Sequence, residues 1–206
     1  MGIFFENRGP GTDLAVWKAE EPLESLCSQL GISPSLLPPR APSRKIEWLS
    51  ARLLLKTLLK TEDIPTIEYD GYGKPSLPGS DRHVSISHTN EYVGVILCKS
   101  ACGIDLEIIH PRIEKLSERF LSDEEKHFID PVERLCSLYV IWGAKEVLYK
   151  LHGKKDIIFK DDLKVSPFSY HENGTVNAWL QKPGHELSAT VNYERIGNIM
   201  LTYAKK

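Results

Sequence analysis

The 206-residue sequence lacks the features of a secreted, membrane-spanning or zinc-thiolate protein. Its four cysteines form no C-x-x-C pair and have no histidine at zinc-binding spacing, which favours free buried thiols in a reducing compartment. No stretch approaches the roughly 20 apolar residues that a membrane helix requires. Charged residues near the N-terminus and the lack of a long apolar run there argue against a signal peptide. We therefore expect a cytoplasmic protein with no membrane partner.

The sequence also lacks a strong charge bias and the common catalytic fingerprints. The net charge is -2 at pH 7, so we expect no bulk attraction to nucleic acid or membranes. Ser87 and His88 are adjacent, but no G-x-S-x-G elbow is present, which leaves a Ser-His-Asp hydrolase as a weak alternative. The Gly71-x-Gly73-Lys74 stretch is neither a P-loop nor a dinucleotide fingerprint, and by itself it predicts a turn.

Short strand and helix signals alternate along the chain and predict an α+β fold. Turn signals at Gly9-Pro10-Gly11 predict a hairpin over 3–17, and a possible boundary lies near Ser100. We expect an N-terminal half over 1–100 with a basic helix, and a C-terminal half over 101–206. The predicted helices are 23–30, 43–60 with Ser43 as N-cap, 113–129 and 135–152. The predicted strands are 64–69, 84–88, 92–98, 103–108, 157–165, 175–180, 187–193 and 198–203.

Two acids lie on one face of the strand predicted over 103–108. A period of two places Ile104 and Leu106 on one face and Asp105 and Glu107 on the other. Two carboxylates on one strand face repel each other unless solvent or a cation lies between them. For an isolated D-x-E pair, a solvated strand face is the commoner explanation.

A third acid, Glu146, lies in a helix whose apolar residues cover almost the whole circumference, as is typical of a buried helix. A charged Glu146 there needs a cation or a hydrogen-bond partner. Lys150 at i+4 is the simple structural partner. The alternative is that Asp105, Glu107 and Glu146 hold Mg²⁺ while Lys145 and Lys150 hold phosphate, because hard cations prefer oxygen ligands.

The order of the motifs resembles the 4′-phosphopantetheinyl transferase family, of the longer, monomeric, surfactin-synthetase-activating type. G-I-D-x-E followed some 35 residues later by W-x-x-K-E-x-x-x-K is a specific combination. The motifs that carry the resemblance are Gly73-Lys74-Pro75, Ser85-Ile86-Ser87-His88-Thr89, Val93-Gly94, Gly103-Ile104-Asp105-Leu106-Glu107, Arg119-Phe120 and Trp142-x-x-Lys145-Glu146-x-x-x-Lys150.

The resemblance implies two similar α+β halves related by pseudo-twofold symmetry, with coenzyme A as substrate in the cleft between them. It also implies a role for each matching residue. The acids Asp105, Glu107 and Glu146 match the Mg²⁺ ligands, with Mn²⁺ as an alternative ion. The residues matched to coenzyme A are Arg44 and Arg52 at the 3′-phosphate, Lys74 and Pro75 at the adenine, and Ser87, His88, Lys145 and Lys150 at the phosphates.

The implied reaction transfers 4′-phosphopantetheine from coenzyme A to a serine of an apo acyl or peptidyl carrier protein and releases 3′,5′-ADP. Glu125, with the adjacent Glu124 as its one-residue alternative, or Glu107 through a metal-bound water, would accept the serine proton. Lys150 would support the departing phosphate. The basic residues Arg112, Lys115 and Arg119, between the D-x-E strand and the next helix, suit an acidic carrier surface. An ordinary solvent-exposed helix start is the alternative. A Mg²⁺-dependent phosphoesterase or nuclease and a non-catalytic carrier-binding module remain the alternatives.

Overall fold

The computed structural model describes residues 2–39, 41–154 and 156–206. The fold is mixed, with helices packed on antiparallel sheets. The strands are β1 (Ile3–Gly9), β2 (Thr12–Lys18), β3 (Glu68–Tyr69), β4 (Pro75–Ser76), β5 (His83–Thr89), β6 (Tyr92–Cys98), β7 (Cys102–Ile108), β8 (Leu163–Val165), β9 (Asn173–Lys182), β10 (His185–Ile196) and β11 (Ile199–Lys205). The α-helices are α1 (Leu23–Leu30), α2 (Pro42–Leu59), α3 (Ile113–Leu116), α4 (Asp123–Phe128), α5 (Arg134–His152) and α6 (Phe159–Asp162).

Most of the strands belong to two main sheets. The first has the order β1-β2-β6-β5, and α2 packs on one of its faces through Leu54, Leu55 and Leu58. The second has the order β7-β11-β10-β9-β8, and α5 packs across it. None of the helices in the described part of the chain combines the length and apolarity that crossing a bilayer requires.

A third core lies between the two sheets. Leu14 and Val16 of β2 pack there with Ile104 and Leu106 of β7 and with Leu201 of β11. The alternation predicted for β7 is therefore confirmed, because its apolar residues enter this core while Asp105 and Glu107 point to the opposite face, toward α5.

Two glycines allow α5 to lie directly against the second sheet. A Cβ on Gly103 of β7 would be 2.8 Å from the backbone oxygen of Val147, and a Cβ on Gly143 of α5 would be 2.4 Å from Oγ1 of Thr202. Both distances are shorter than van der Waals contact, so a larger residue at either position would push the helix away. The close packing brings the C-terminal half of α5 over the acids of β7.

Several predicted elements differ from the structure. Helix α2 begins at Pro42, whose missing N–H suits the first helical position, so Ala41 takes the N-cap place predicted for Ser43. The helix predicted over 113–129 breaks where Phe120 and Leu121 enter the core, and α4 starts anew at a capping box between Ser122 and Glu125.

Two predicted strands are mostly not strands. Of 64–69, only Glu68–Tyr69 pairs with another strand, and Pro65 in this stretch has no N–H to donate to a ladder. Of 157–165, the first part forms the short helix α6, and only Leu163–Val165 pairs with β9. Asp162 Oδ2 accepts a hydrogen bond from the Ile158 N–H at 2.8 Å, which closes the helical turn in place of a ladder bond.

Candidate active site

The centre of the candidate site is a partly buried contact between Asp105 of β7 and Lys150 of α5. Lys150 Nζ donates to Asp105 Oδ1 at 2.8 Å, to the Ile104 carbonyl at 2.7 Å and to Ser87 Oγ at 3.2 Å. Ser87 Oγ also donates to Asp105 Oδ1 at 3.0 Å. The structure thus brings together three residues that the sequence analysis had placed in one site, one from each of β5, β7 and α5.

Two serines connect the edges of the two main sheets at this point. Strands β5 and β7 do not pair in a ladder, yet Ser85 Oγ accepts from the Ile104 N–H and Ser87 Oγ accepts from the Leu106 N–H, each at 3.2 Å. The backbone on both sides of Asp105 is therefore held from the neighbouring sheet. The sequence analysis gave Ser85 no role. The available signal was the Ser-x-Ser alternation, which places both hydroxyls on the face opposite Val84 and Ile86.

Glu107 lies two residues further along β7 and is half-buried. Trp142 of α5 donates its indole N–H to Glu107 Oε1 at 3.1 Å. Burial and, next, the charge of Asp105 raise the pKa of Glu107 above its ordinary value. The tryptophan of the W-x-x-K-E motif therefore orients one of the acids, a role that sequence reasoning missed.

Glu146 is the third acid, one helical turn before Lys150. Burial and, next, the Asp105 charge raise the pKa of Glu146 to about 7, and Lys150 opposes this effect. The charges of Asp105 and Glu107 both act on it, so the three carboxylates form one electrostatic group although they come from two elements.

A narrow cavity lies beside Lys150, between the two main sheets. Its volume is about 120 Å³, and Lys74, Pro75, Ser85 and Lys150 are among the residues that line it. Lys74 Nζ donates to the Leu151 carbonyl at 3.2 Å, near the end of α5. The residues predicted to contact adenine thus share a cavity with the central lysine.

A second, basic recess lies between α2 and β5, with a volume of about 160 Å³. Arg44 Nη1 lies 2.9 Å from His88 Nε2, and Glu47 lies within ion-pair distance of both side chains. The Arg52 guanidinium lies over the Trp48 ring, 3.5 Å from its centroid. Burial is the main cause that lowers the pKa of His88. Three of the four residues predicted for phosphate contacts from this half, Arg44, Arg52 and His88, line this recess, whereas Ser87 lies at the Asp105 contact.

Part of the candidate site falls within a segment that is similar to a known superfamily. Residues 101–194 match the model of the 4′-phosphopantetheinyl transferase superfamily. The resemblance to that superfamily is confirmed. All three carboxylates, Lys145 and Lys150 lie in the matched segment, whereas the basic recess and the Gly-Lys-Pro loop lie before it.

Individual relatives extend the similarity to the earlier part of the chain. The chain is 31% identical over 113 residues to 4′-phosphopantetheinyl transferase Sfp of Bacillus subtilis (strain 168), covering 53% of this chain and 49% of that protein. It is 30% identical over 130 residues to the transferase psf-1 of Bacillus pumilus, with coverages of 60% and 53%. With the transferase gsp of Aneurinibacillus migulanus it shares 25% identity over 170 residues, covering 75% and 71%. For the first of these relatives, the matched part spans about half of the relative's length.

Two residues that the transferase resemblance placed at the substrate lie instead in the interior. The Lys145 side chain is fully buried, and its Nζ donates to Glu125 Oε2 at 2.7 Å and to the carbonyls of Phe120 and Phe159. Glu125, whose side chain is 2% exposed, accepts from the Ser122 N–H through Oε2 and from the Val165 N–H through Oε1. In this structure neither side chain reaches the cleft, because both are used to join α4, α5 and β8.

The acids suit the divalent cation that the transferase resemblance implies. Asp105 Oδ2 is buried and has no hydrogen-bond partner, and the donors are all carboxylate oxygens, which hard cations prefer. Within residues 2–39, 41–154 and 156–206, no group of three or more His, Cys, Asp or Glu side chains is spaced to hold an ion. Mg²⁺ commonly binds through one or two carboxylates plus substrate phosphates and water, so a preformed three-acid cage is not required.

Proposed function

We propose that this protein is an enzyme that transfers the 4′-phosphopantetheine group of coenzyme A to a serine of an acyl or peptidyl carrier protein, with release of 3′,5′-ADP. The observation that carries the proposal is the junction of Asp105, Ser87 and Lys150 between the two main sheets. An acid, a hydroxyl and an ammonium held together at a cleft suit phosphoryl transfer, where positioning and charge neutralisation dominate. The names of the relatives point to the same reaction.

In this proposal the chain consists of two α+β halves, 1–100 and 101–206, related by pseudo-twofold symmetry, and coenzyme A lies between them. Each half contributes one main sheet with a long helix on it, which supports the division. The recess of Arg44, Arg52 and His88 would receive the 3′-phosphate, and the cavity of Lys74 and Pro75 would receive the adenine. Lys150 borders that cavity and would contact the diphosphate.

Asp105, Glu107 and Glu146 would hold Mg²⁺, or Mn²⁺ in its place. The bound ion would neutralise charge on the diphosphate. Lys150, with a side chain 25% exposed, would stabilise the phosphate of the leaving 3′,5′-ADP. Of the two predicted proton acceptors, we favour Glu107, whose Oε1 is oriented by Trp142. It would act through a water rather than directly, because the same carboxylate would also hold the ion.

The proposed macromolecular partner is a carrier protein with an acidic surface. Arg112, Lys115 and Arg119 are exposed around α3, next to a recess of about 180 Å³ that Glu107 and Trp142 line. Their charge would attract an acidic partner to the side of the site where Glu107 lies. By resemblance we expect the enzyme to act as a monomer.

The test is incubation with coenzyme A, MgCl₂ and an apo acyl carrier protein, followed by intact-protein mass spectrometry. We expect the carrier to gain the mass of one phosphopantetheine, and a carrier with its acceptor serine changed to alanine to gain none. Hydrolysis of a phosphodiester without any carrier would instead identify a phosphoesterase or nuclease. Carrier binding with no change in mass and no coenzyme A binding would identify a non-catalytic docking module.

A further inference from the structure

The charge of a single lysine, Lys150, acts on all three acids of the group. Lys150 Nζ makes its ion pair with Asp105 Oδ1, and its charge also lowers the pKa of both Glu107 and Glu146. The ammonium therefore lies close enough to all three carboxylates to offset part of their mutual repulsion. The other Asp105 oxygen, Oδ2, is buried without a partner, so the lysine neutralises the group only in part.

Lys150 has two competing uses in the proposed reaction. Its Nζ is fully engaged by Asp105, Ser87 and the Ile104 carbonyl, yet the same side chain lines the cavity next to Lys74 and Pro75. A lysine has one ammonium on a flexible four-carbon stem, so it can turn from one acidic partner to another without movement of the backbone. A divalent cation close to Asp105 would also repel the ammonium.

We propose that Lys150 is the resident counter-ion of the ligand-free site, and that it leaves Asp105 for the phosphates of the incoming nucleotide when a divalent cation takes its place. This inference rests on the proposed function for the identity of the nucleotide. The contact between Lys150 Nζ and Asp105 Oδ1 fits this role, because the ammonium occupies an oxygen that the ion would need. The exchange also makes the binding of ion and nucleotide mutually favourable, since each removes a competitor of the other.

The experiment measures ion binding and nucleotide binding separately, each without turnover. Mn²⁺ is titrated into the ligand-free protein, and the unbound ion is quantified by electron paramagnetic resonance. We expect Lys150→Met to bind Mn²⁺ more tightly by about tenfold or more, and Lys150→Arg to stay close to the unmodified protein. Coenzyme A is then titrated calorimetrically into protein saturated with Mn²⁺, without any carrier, where we expect Lys150→Met to bind coenzyme A more weakly.

Arg112→Met is the matched control. The Arg112 charge also lowers the pKa of Glu107, and this variant removes the same charge without touching the Asp105 contacts. We expect it to change Mn²⁺ affinity far less than Lys150→Met does. An equal gain in Mn²⁺ affinity in both variants, or no gain in Mn²⁺ affinity in Lys150→Met, would overturn the counter-ion role. Unchanged coenzyme A binding in Lys150→Met would overturn the transfer of the lysine to the phosphates.

A measurement on the unmodified chain covers the case in which Lys150→Met does not fold. Limited acetylation followed by peptide mass spectrometry reports how accessible the Lys150 amine is. Acetylation should rise when Mn²⁺ is added alone and fall when coenzyme A follows, whereas constant acetylation would contradict the proposal. The Mn²⁺ arm uses neither coenzyme A nor carrier, so its result is independent of whether transfer occurs.

Discussion

The Lys145 ammonium lies 2.7 Å from Glu125 Oε2 in the interior of the protein, one residue before the acid that faces the site. Burial is the main cause that lowers the pKa of Lys145, and Glu125 opposes it. The W-x-x-K-E motif therefore divides its two charged residues between two tasks. Lys145 joins α5 to α4 and to the first residue of α6, while Glu146 turns toward β7.

Removal of either partner should destabilise the protein, because the remaining charge would be buried without compensation. We expect Glu125→Gln and Lys145→Met each to lower the free energy of unfolding by about 3–5 kcal/mol, measured by urea denaturation. Lys126→Met, which breaks an exposed pair with Glu118, should have little effect. Unchanged stability in Glu125→Gln together with lost transfer would instead support Glu125 as the catalytic base.

Loss of the Asp105 carboxylate should abolish transfer while the fold remains. We expect Asp105→Ala to lower Mg²⁺-dependent transfer by more than about 100-fold, because in the proposed site this residue would hold the ion and its carboxylate contacts Lys150. Its far-ultraviolet circular dichroism spectrum should stay native. Asp123→Ala removes an exposed acid as a control. Full activity of Asp105→Ala would remove the metal assignment.

A change at Glu146 should improve stability at high pH even though it harms catalysis. The pKa of Glu146 is raised to about 7, so the folded protein holds a proton that the unfolded chain loses near pH 4.5. Stability is therefore lost as the pH rises from about 4.5 to 7. We expect the free energy of unfolding of metal-free Glu146→Gln to be higher than that of the unmodified protein by about 2–3 kcal/mol at pH 8. The difference should shrink toward pH 5. A difference that does not vary with pH would contradict this assignment.

The contact between α5 and its sheet should tolerate no added methyl group. Gly103→Ala and Gly143→Ala each place a Cβ within 3 Å of another atom, and we expect each to cost about 1–3 kcal/mol of unfolding free energy. Both should also reduce transfer, because α5 would lift Lys150 and Glu146 from β7. Gly9→Ala is the matched control, since its Cβ would meet nothing within 4 Å. Equal melting temperatures for all three variants would count against close packing as the positioning force.

Local pattern was sufficient for much of the fold. The period-two alternation of β7 predicted which face carries Asp105 and Glu107, and the fully apolar circumference of α5 predicted its burial. The hairpin of β1 and β2 followed from Gly9-Pro10-Gly11. The predicted elements were wrong where tertiary contacts outweighed local preference. At Phe120, for example, entry of the side chain into the core breaks the predicted helix.

By itself, the sequence determined which residues carry charge, on which face of a strand or helix each lies, and to which superfamily the motif order is similar. Only the tertiary structure decided which charges meet. Lys145 and Lys150 have the same side chain and lie on the same helix, yet one is paired in the interior with Glu125 and the other lies at the cleft with Asp105, 45 positions earlier in the chain. The depth and the partner of each lysine depend on how closely α5 approaches its sheet. That distance is set by contacts between residues far apart in the chain, Gly103 with Val147 and Gly143 with Thr202.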